Sequence, residues 1–142
     1  MFAWHQGQFA EARKGFEKAF SANPKNVSYP LMIAATYLKE NKQKEAKDFL
    51  SKTLRNREPS TVEYAMLRLY FDRLNDRQVV QKVMNTNDRN LRGKMMYYLG
   101  LFYEINGNDV PSEKYYTDVL SLNSPMFFEF RLAEWAVQIK EK

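Results

Sequence analysis

Residues 95–125 read MMYYLGLFYEINGNDVPSEKYYTDVLSLNSP, and this stretch decides the fold. Gly107 and its asparagine neighbours split it into two apolar-periodic runs, since glycine and asparagine adopt the positive φ that ends a helix. Gly100 on the first run leaves room for a neighbouring helix to approach closely. Ser112 is the small residue of the second run, and Tyr116 fills the space one turn on. Pro111 falls in the first turn of the second helix, just after Asn108 or Asp109 as the cap, where a missing N–H is tolerated. Pro125 stops that helix from continuing. The stretch predicts a helix–turn–helix pair.

Working outward, the same pattern recurs. From Ser112 the mark steps back to Val79, Ala46 and Ala12, at intervals of 33, 33 and 34 residues. Four residues after each mark stands a large apolar residue: Phe16, Leu50, Val83, Tyr116. Seven after stands a small or β-branched one: Ala19, Thr53, Thr86, Val119. A turn residue precedes each mark, at Gly7, Asn41, Asn75 or nearby, and Gly107. Tyr37, Tyr70 and Tyr103 lie nine residues before three of the marks, with Ala3 in the first place. Pro24, Pro59 and Pro125 close three of the repeats. A period near 34 with two apolar runs per period is the signature of a stacked helical-pair repeat.

These residues resemble the tetratricopeptide repeat family. The last repeat matches best, through Leu99, Gly100, Tyr103, Gly107, Ser112, Tyr116 and Val119. The second matches through Ala34, Tyr37, Ala46, Leu50 and Thr53, whereas in the third Leu67 replaces the small residue and no proline closes the repeat. The resemblance covers roughly residues 3–125. It implies an all-α, right-handed superhelix of TPR-like repeats in one domain. The expected division is a partial repeat over about 1–26, repeats over 27–59, 60–91 and 92–125, and a capping helix over 126–142. Helices are expected at about 8–22, 27–40, 43–56, 60–73, 76–86, 92–105, 110–122 and 126–140. Pro30 falls in the first turn of the second of these, and Ser60 or Thr61 with Glu63 resembles a capping arrangement.

Gly7–Pro24 is then a second helix whose partner is mostly missing, with only MFAW in front. Either the chain is cut from a longer array, which is our reading, or residues 1–5 form a shortened cap over Phe9, Phe16 and Phe20. At the other end Phe128, Leu132, Trp135 and Ile139 form one helical stripe, with Phe127 and Phe130 beside it. The stripe suits a terminal helix that covers the last repeat. It also suits the first helix of a further repeat, or a self-association surface.

Composition narrows the chemistry. With 142 residues, 44% hydrophobic and 27% charged, the chain is globular. Five glycines and five prolines are too few for the turns of an all-β domain. The absence of cysteine excludes disulfides, thiolate zinc sites and a cysteine nucleophile, and is compatible with cytoplasm or periplasm alike. No apolar run reaches the length of a membrane span, and MFAWHQGQ lacks the pattern of a signal peptide. With His5 the sole histidine, a triad would rest on it alone and a His-rich metal site cannot be built. Gly93, Gly100 and Gly107 are seven apart and form no phosphate loop. The Asp72/Asp76 pair reads as exposed surface. No catalytic residue, metal or cofactor is expected.

Binding is the stronger case. The family lines its groove with first helices, which here implies Ser28, Leu31, Ala35 and Leu38, then Tyr64, Arg68 and Phe71, then Lys94, Tyr97, Leu101 and Glu104. Of these we single out Tyr64, Arg68, Phe71, Tyr97 and Leu101, since tyrosine and arginine dominate interface energetics. Some members hold chaperone C-termini in a Lys/Asn/Arg clamp. At the matching places stand Leu31, Met32 and Ala35, then Tyr64, Ala65 and Arg68, and only Arg68 fits. The implied partner is a protein or peptide with hydrophobic side chains. Self-assembly through the terminal helices is the alternative.

Charge is uneven: residues 25–94 carry 15 Lys/Arg against 8 Asp/Glu, net +7, and residues 95–142 carry 4 against 7, net −3. Lys42, Lys44, Lys47, Lys52, Arg55 and Arg57 gather on a second helix and its end, on the side away from the tyrosines. That placement disfavours nucleic acid, and the flank shows no aromatic face for a membrane surface.

Overall fold

Left-handed turns punctuate the chain where the repeat demands them. Gly7 (φ 77°), Asn41 (60°), Asn75 (64°) and Gly107 (78°) all lie in that region. Gly7, Asn41 and Gly107 each end the run before them, because the left-handed conformation cannot continue a right-handed helix, whereas the run over 62–72 is ended by Arg73 (φ 60°) and Asn75 stands just before the next helix. The structure is a computed structural model, and it describes residues 2–122 and 127–141, with side chains through Gln138. Pro125, expected to close the last repeat, Met126 and the Ile139 side chain of the terminal stripe lie outside the described residues.

The described residues form nine α-helices and no strand. They are α1 (Phe2–His5), α2 (Phe9–Ala22), α3 (Ser28–Lys39), α4 (Gln43–Leu54), α5 (Val62–Asp72), α6 (Asp76–Met84), α7 (Arg89–Ile105), α8 (Asp109–Ser121) and α9 (Phe128–Glu141). From α2 onward the expected ends hold to within about three residues. The largest difference is at α7, which begins at Arg89 rather than 92. Asp88 explains it: its Oδ1 accepts from the backbone N–H of Asn90 (3.0 Å) and Leu91 (3.2 Å). A capping carboxylate satisfies donors that the helix start leaves orphaned, so the helix begins there. At α5 the cap is Thr61, whose Oγ1 accepts from the Tyr64 N–H at 3.1 Å. Asn108 caps α8 by position, without a side-chain bond.

The chain forms two compact units, Met1–Val79 and Val80–Lys142. In the first, each helix from α1 to α5 packs on the next, and α3 also meets α5. Its core holds Ala12 and Phe16 of α2, Leu31 to Ala35 of α3, Ala46 and Leu50 of α4, and Met66, Leu67, Leu69 and Tyr70 of α5. Ala12, Ala46, Phe16 and Leu50 therefore fill the close-packed places that the repeat assigns them. Trp4 of the short α1 meets Phe9 edge-on, ring centroids 5.2 Å apart. Arg13 ties α2 to α3: its guanidinium lies 4.2 Å over the Tyr37 ring and donates to Glu40 at 2.6 Å. That hydrogen bond holds the Glu40 carboxyl below its ordinary pKa, against a smaller opposing push from burial.

In the second unit α7, α8 and α9 pack against one another. Gly100 lies against the ring of Tyr116, and Gly93 against Phe127 and Leu122. Ser112 is fully buried and its hydroxyl has no hydrogen-bond partner among the described residues. The equivalent places in earlier repeats are Ala12 and Ala46. A buried hydroxyl without a partner costs free energy, and alanine is the better helix former. Ser112→Ala is therefore expected to raise stability by about 1 kcal/mol, read as a higher urea midpoint at unchanged slope.

Candidate functional site

Helix α5 presents the densest set of expected contact residues. Tyr64, Arg68 and Phe71 recur at intervals of four and three, which places them on one face. The face stays open because the opposite side of α5, with Met66, Leu67, Leu69 and Tyr70, is spent on the core. Tyr64 and Phe71 are half-buried and Arg68 is exposed. Arg68 Nε donates to Asp72 Oδ2 at 3.1 Å, one turn on. Hydrogen bonding to Asp72, then to Tyr64, pushes the guanidinium above its ordinary pKa and fixes its charge. The Arg68 guanidinium lies 5.9 Å from the centroid of the Phe71 ring, and Lys47 Nζ of α4 lies 6.0 Å from it. Two cations thus flank one half-exposed ring, in the range where a cation is drawn to an aromatic face.

The other groove positions fall elsewhere. Leu31 (0% exposed), Leu38 (8%), Tyr97 (1%) and Leu101 (1%) are buried, as are Ser28 and Ala35. The reason is the surroundings of the first helices. α3 is packed by α2, α4 and α5, and α7 by α8 and α9, so more than one face of each is covered. Tyr97 is an internal ring, 5.2 Å from Tyr98 and 5.5 Å from Tyr116. Lys94 and Glu104 are half-buried in the second unit, where Glu104 accepts from the Tyr116 hydroxyl at 3.0 Å. Leu31, Leu38, Tyr97 and Leu101, expected at the groove, are thus buried in the packing of their helices. Lys47 is the neighbour of Phe71 that sequence reasoning misses. Its place in the chain puts it on a flank away from the aromatic residues, and only the packing of α4 on α5 carries it to Phe71.

Arginines tie segments about one period apart. Arg57 donates to the carbonyls of Pro24 (2.7 Å) and Lys25 (3.3 Å), and Arg89 donates to that of Leu122. Each pair spans about one period, 32 or 33 residues. Residues 3–69 match the family model of the tetratricopeptide repeat. That part of the chain carries the tetratricopeptide repeat. The match spans the first unit through most of α5, and the helical pair α7–α8 repeats its pattern of small residue, bulky residue and left-handed turn. No curated protein and no solved structure matches the chain. The family is generally one of non-catalytic scaffolds, and the match suggests protein partners. Among the described residues no helix of this repeat protein is long and apolar enough to cross a membrane.

Proposed function

We propose that this repeat protein is a scaffold or adaptor that holds a protein or peptide partner on the open face of α5. The observation that carries the reading is the Phe71 ring between Arg68 and Lys47, with Tyr64 two turns before it on the same face. A half-exposed aromatic anchor with fixed cations beside it is the composition of an interface hot spot. The apolar rings accept a hydrophobic side chain of the partner. Arg68, held by Asp72, orients its acceptors.

The test is affinity capture from an extract of the source cells, wild type against Tyr64→Ala/Phe71→Ala. Both side chains are partly exposed, so the double variant keeps its core, which circular dichroism checks. Recovery of the partner is expected to fall about tenfold or more, the loss of one hot-spot residue being worth at least ~1.4 kcal/mol. Lys18→Ala, on the exposed side of α2, should leave recovery unchanged. Equal recovery by wild type and the double variant would remove α5 as the contact face.

A further inference from the structure

A separate cleft of about 580 Å³ opens within the first unit, between the C-terminal ends of α2 and α4. Phe20 and Phe49 form its apolar floor, their rings edge to face with centroids 6.0 Å apart. Arg57 closes one wall through its two bonds to the Pro24 and Lys25 carbonyls. Lys25 and Lys52 stand exposed on the rim and make no ion pair among the described residues. The ends of α2 and α4 and the start of α5 meet here, and Glu58 and Glu63 line the cleft beside the cations. An occupant that meets the aromatic floor and the two rim lysines has an apolar tip with carboxylates beside it, placed clear of Glu58 and Glu63.

The chain itself carries such an element. Val110, in the first turn of α8, is 83% exposed and is the most exposed large hydrophobic side chain among the described residues. Asp109 and Glu113 flank it, one turn apart, and both are exposed without an ion pair among the described residues. We propose that the cleft is a self-association site that takes the first turn of α8 from a second copy of this chain. Val110 enters against Phe20 and Phe49, and Asp109 and Glu113 meet Lys25 and Lys52. The uneven charge follows the same polarity: the cleft lies at the start of the net +7 region, residues 25–94, and α8 lies in the net −3 region, residues 95–142. This contact differs from the terminal-helix association that the sequence suggests, and Tyr64, Arg68 and Phe71 are not among the residues that line the cleft.

Donor and acceptor surfaces differ, so the contact is heterologous and every copy keeps one of each unused at the ends. Association should therefore grow with concentration without stopping at a dimer, unless a ring closes. The experiment is sedimentation equilibrium with light scattering over a concentration series. For wild type the mass should climb above the 16.9 kDa of the chain. It should fall back as salt rises from about 0.05 to 0.5 M, because the rim charges are exposed and screened. Lys25→Glu/Lys52→Glu and Asp109→Lys/Glu113→Lys each reverse one side at exposed positions and should each remain at the mass of one chain. Mixed in equal amounts, the two reversed variants should associate again, since both junctions between unlike copies are complementary. A wild type that stays at 16.9 kDa throughout overturns the proposal. So does association that either reversed variant retains alone, or that the mixture fails to restore.

Discussion

Gly100→Ala is expected to destabilise the protein by about 1–3 kcal/mol, although alanine is the better helix former. A Cβ at Gly100 would lie 2.8 Å from both Cδ1 and Cε1 of Tyr116 and 3.2 Å from the Ser112 carbonyl oxygen. The first two contacts are shorter than real Cβ atoms tolerate. Tyr116 cannot swing clear cheaply: it is 1% exposed, set beside Tyr97, and bonded through its hydroxyl to Glu104. The third atom is backbone and holds α8 in place. Gly15→Ala supplies the contrast. Gly15 is also inside a helix, α2, but is exposed, and a Cβ added there would meet nothing within 4 Å. There the same substitution should stabilise by about 0.5–1 kcal/mol through propensity alone. A double-mutant cycle assigns the cause. In a Tyr116→Leu background, where the Cε atoms are gone, the penalty of Gly100→Ala should shrink. An equal penalty in both backgrounds would mean that the ring does not set it. Urea unfolding followed by circular dichroism gives all the values, with a constant slope checking that the unfolded states are comparable.

The opposed signs at Gly15 and Gly100 also show what a sequence can and cannot reveal. Period, turn residues and small residues are local in sequence, and they locate every helix from α2 onward. Gly7, Asn41 and Gly107 are readable because a left-handed residue is a requirement of one backbone position, whereas Arg73, which ends α5 in that conformation, is of a type that gives no such signal. Burial of first helices is less readable. Helix α3 is buried at nine of its twelve residues, Ser28 and Pro30 to Thr36 among them, so it has no single apolar stripe to read. A periodic reading assumes one covered face, and a helix enclosed by several neighbours has more than one. That is why Leu31 and Tyr97 look like groove residues in the sequence. The cleft is hidden for another reason. Phe20 and Phe49 are 29 residues apart, on different repeats, and the basic flank around Lys52 gains its aromatic floor only when α2 and α4 end side by side. Arg68 and Phe71, by contrast, share a helix and are legible from spacing.

Tyr98→Phe is expected to cost about 2–3 kcal/mol, far more than one hydroxyl on a surface would. The Tyr98 hydroxyl donates to Glu129 Oε2 at 2.7 Å, between α7 and α9, and Glu129 is 0% exposed. The other carboxyl oxygen, Oε1, is equally enclosed and has no hydrogen-bond partner among the described residues. Removing the hydroxyl therefore strips the carboxyl of the one bond seen for it, and a buried group without a partner costs its full desolvation penalty. Glu129→Met should also destabilise, because the Tyr98 hydroxyl loses this acceptor. The combined variant, Tyr98→Phe/Glu129→Met, places two apolar groups of similar volume face to face. It should lie within about 1 kcal/mol of wild type, as when a buried polar pair is replaced whole rather than halved. The interaction energy of that cycle is then large and of one sign. If instead the two single losses simply add, the bond does not hold α9 on α7, and burial of apolar side chains such as Leu132 and Ala133 carries that docking by itself.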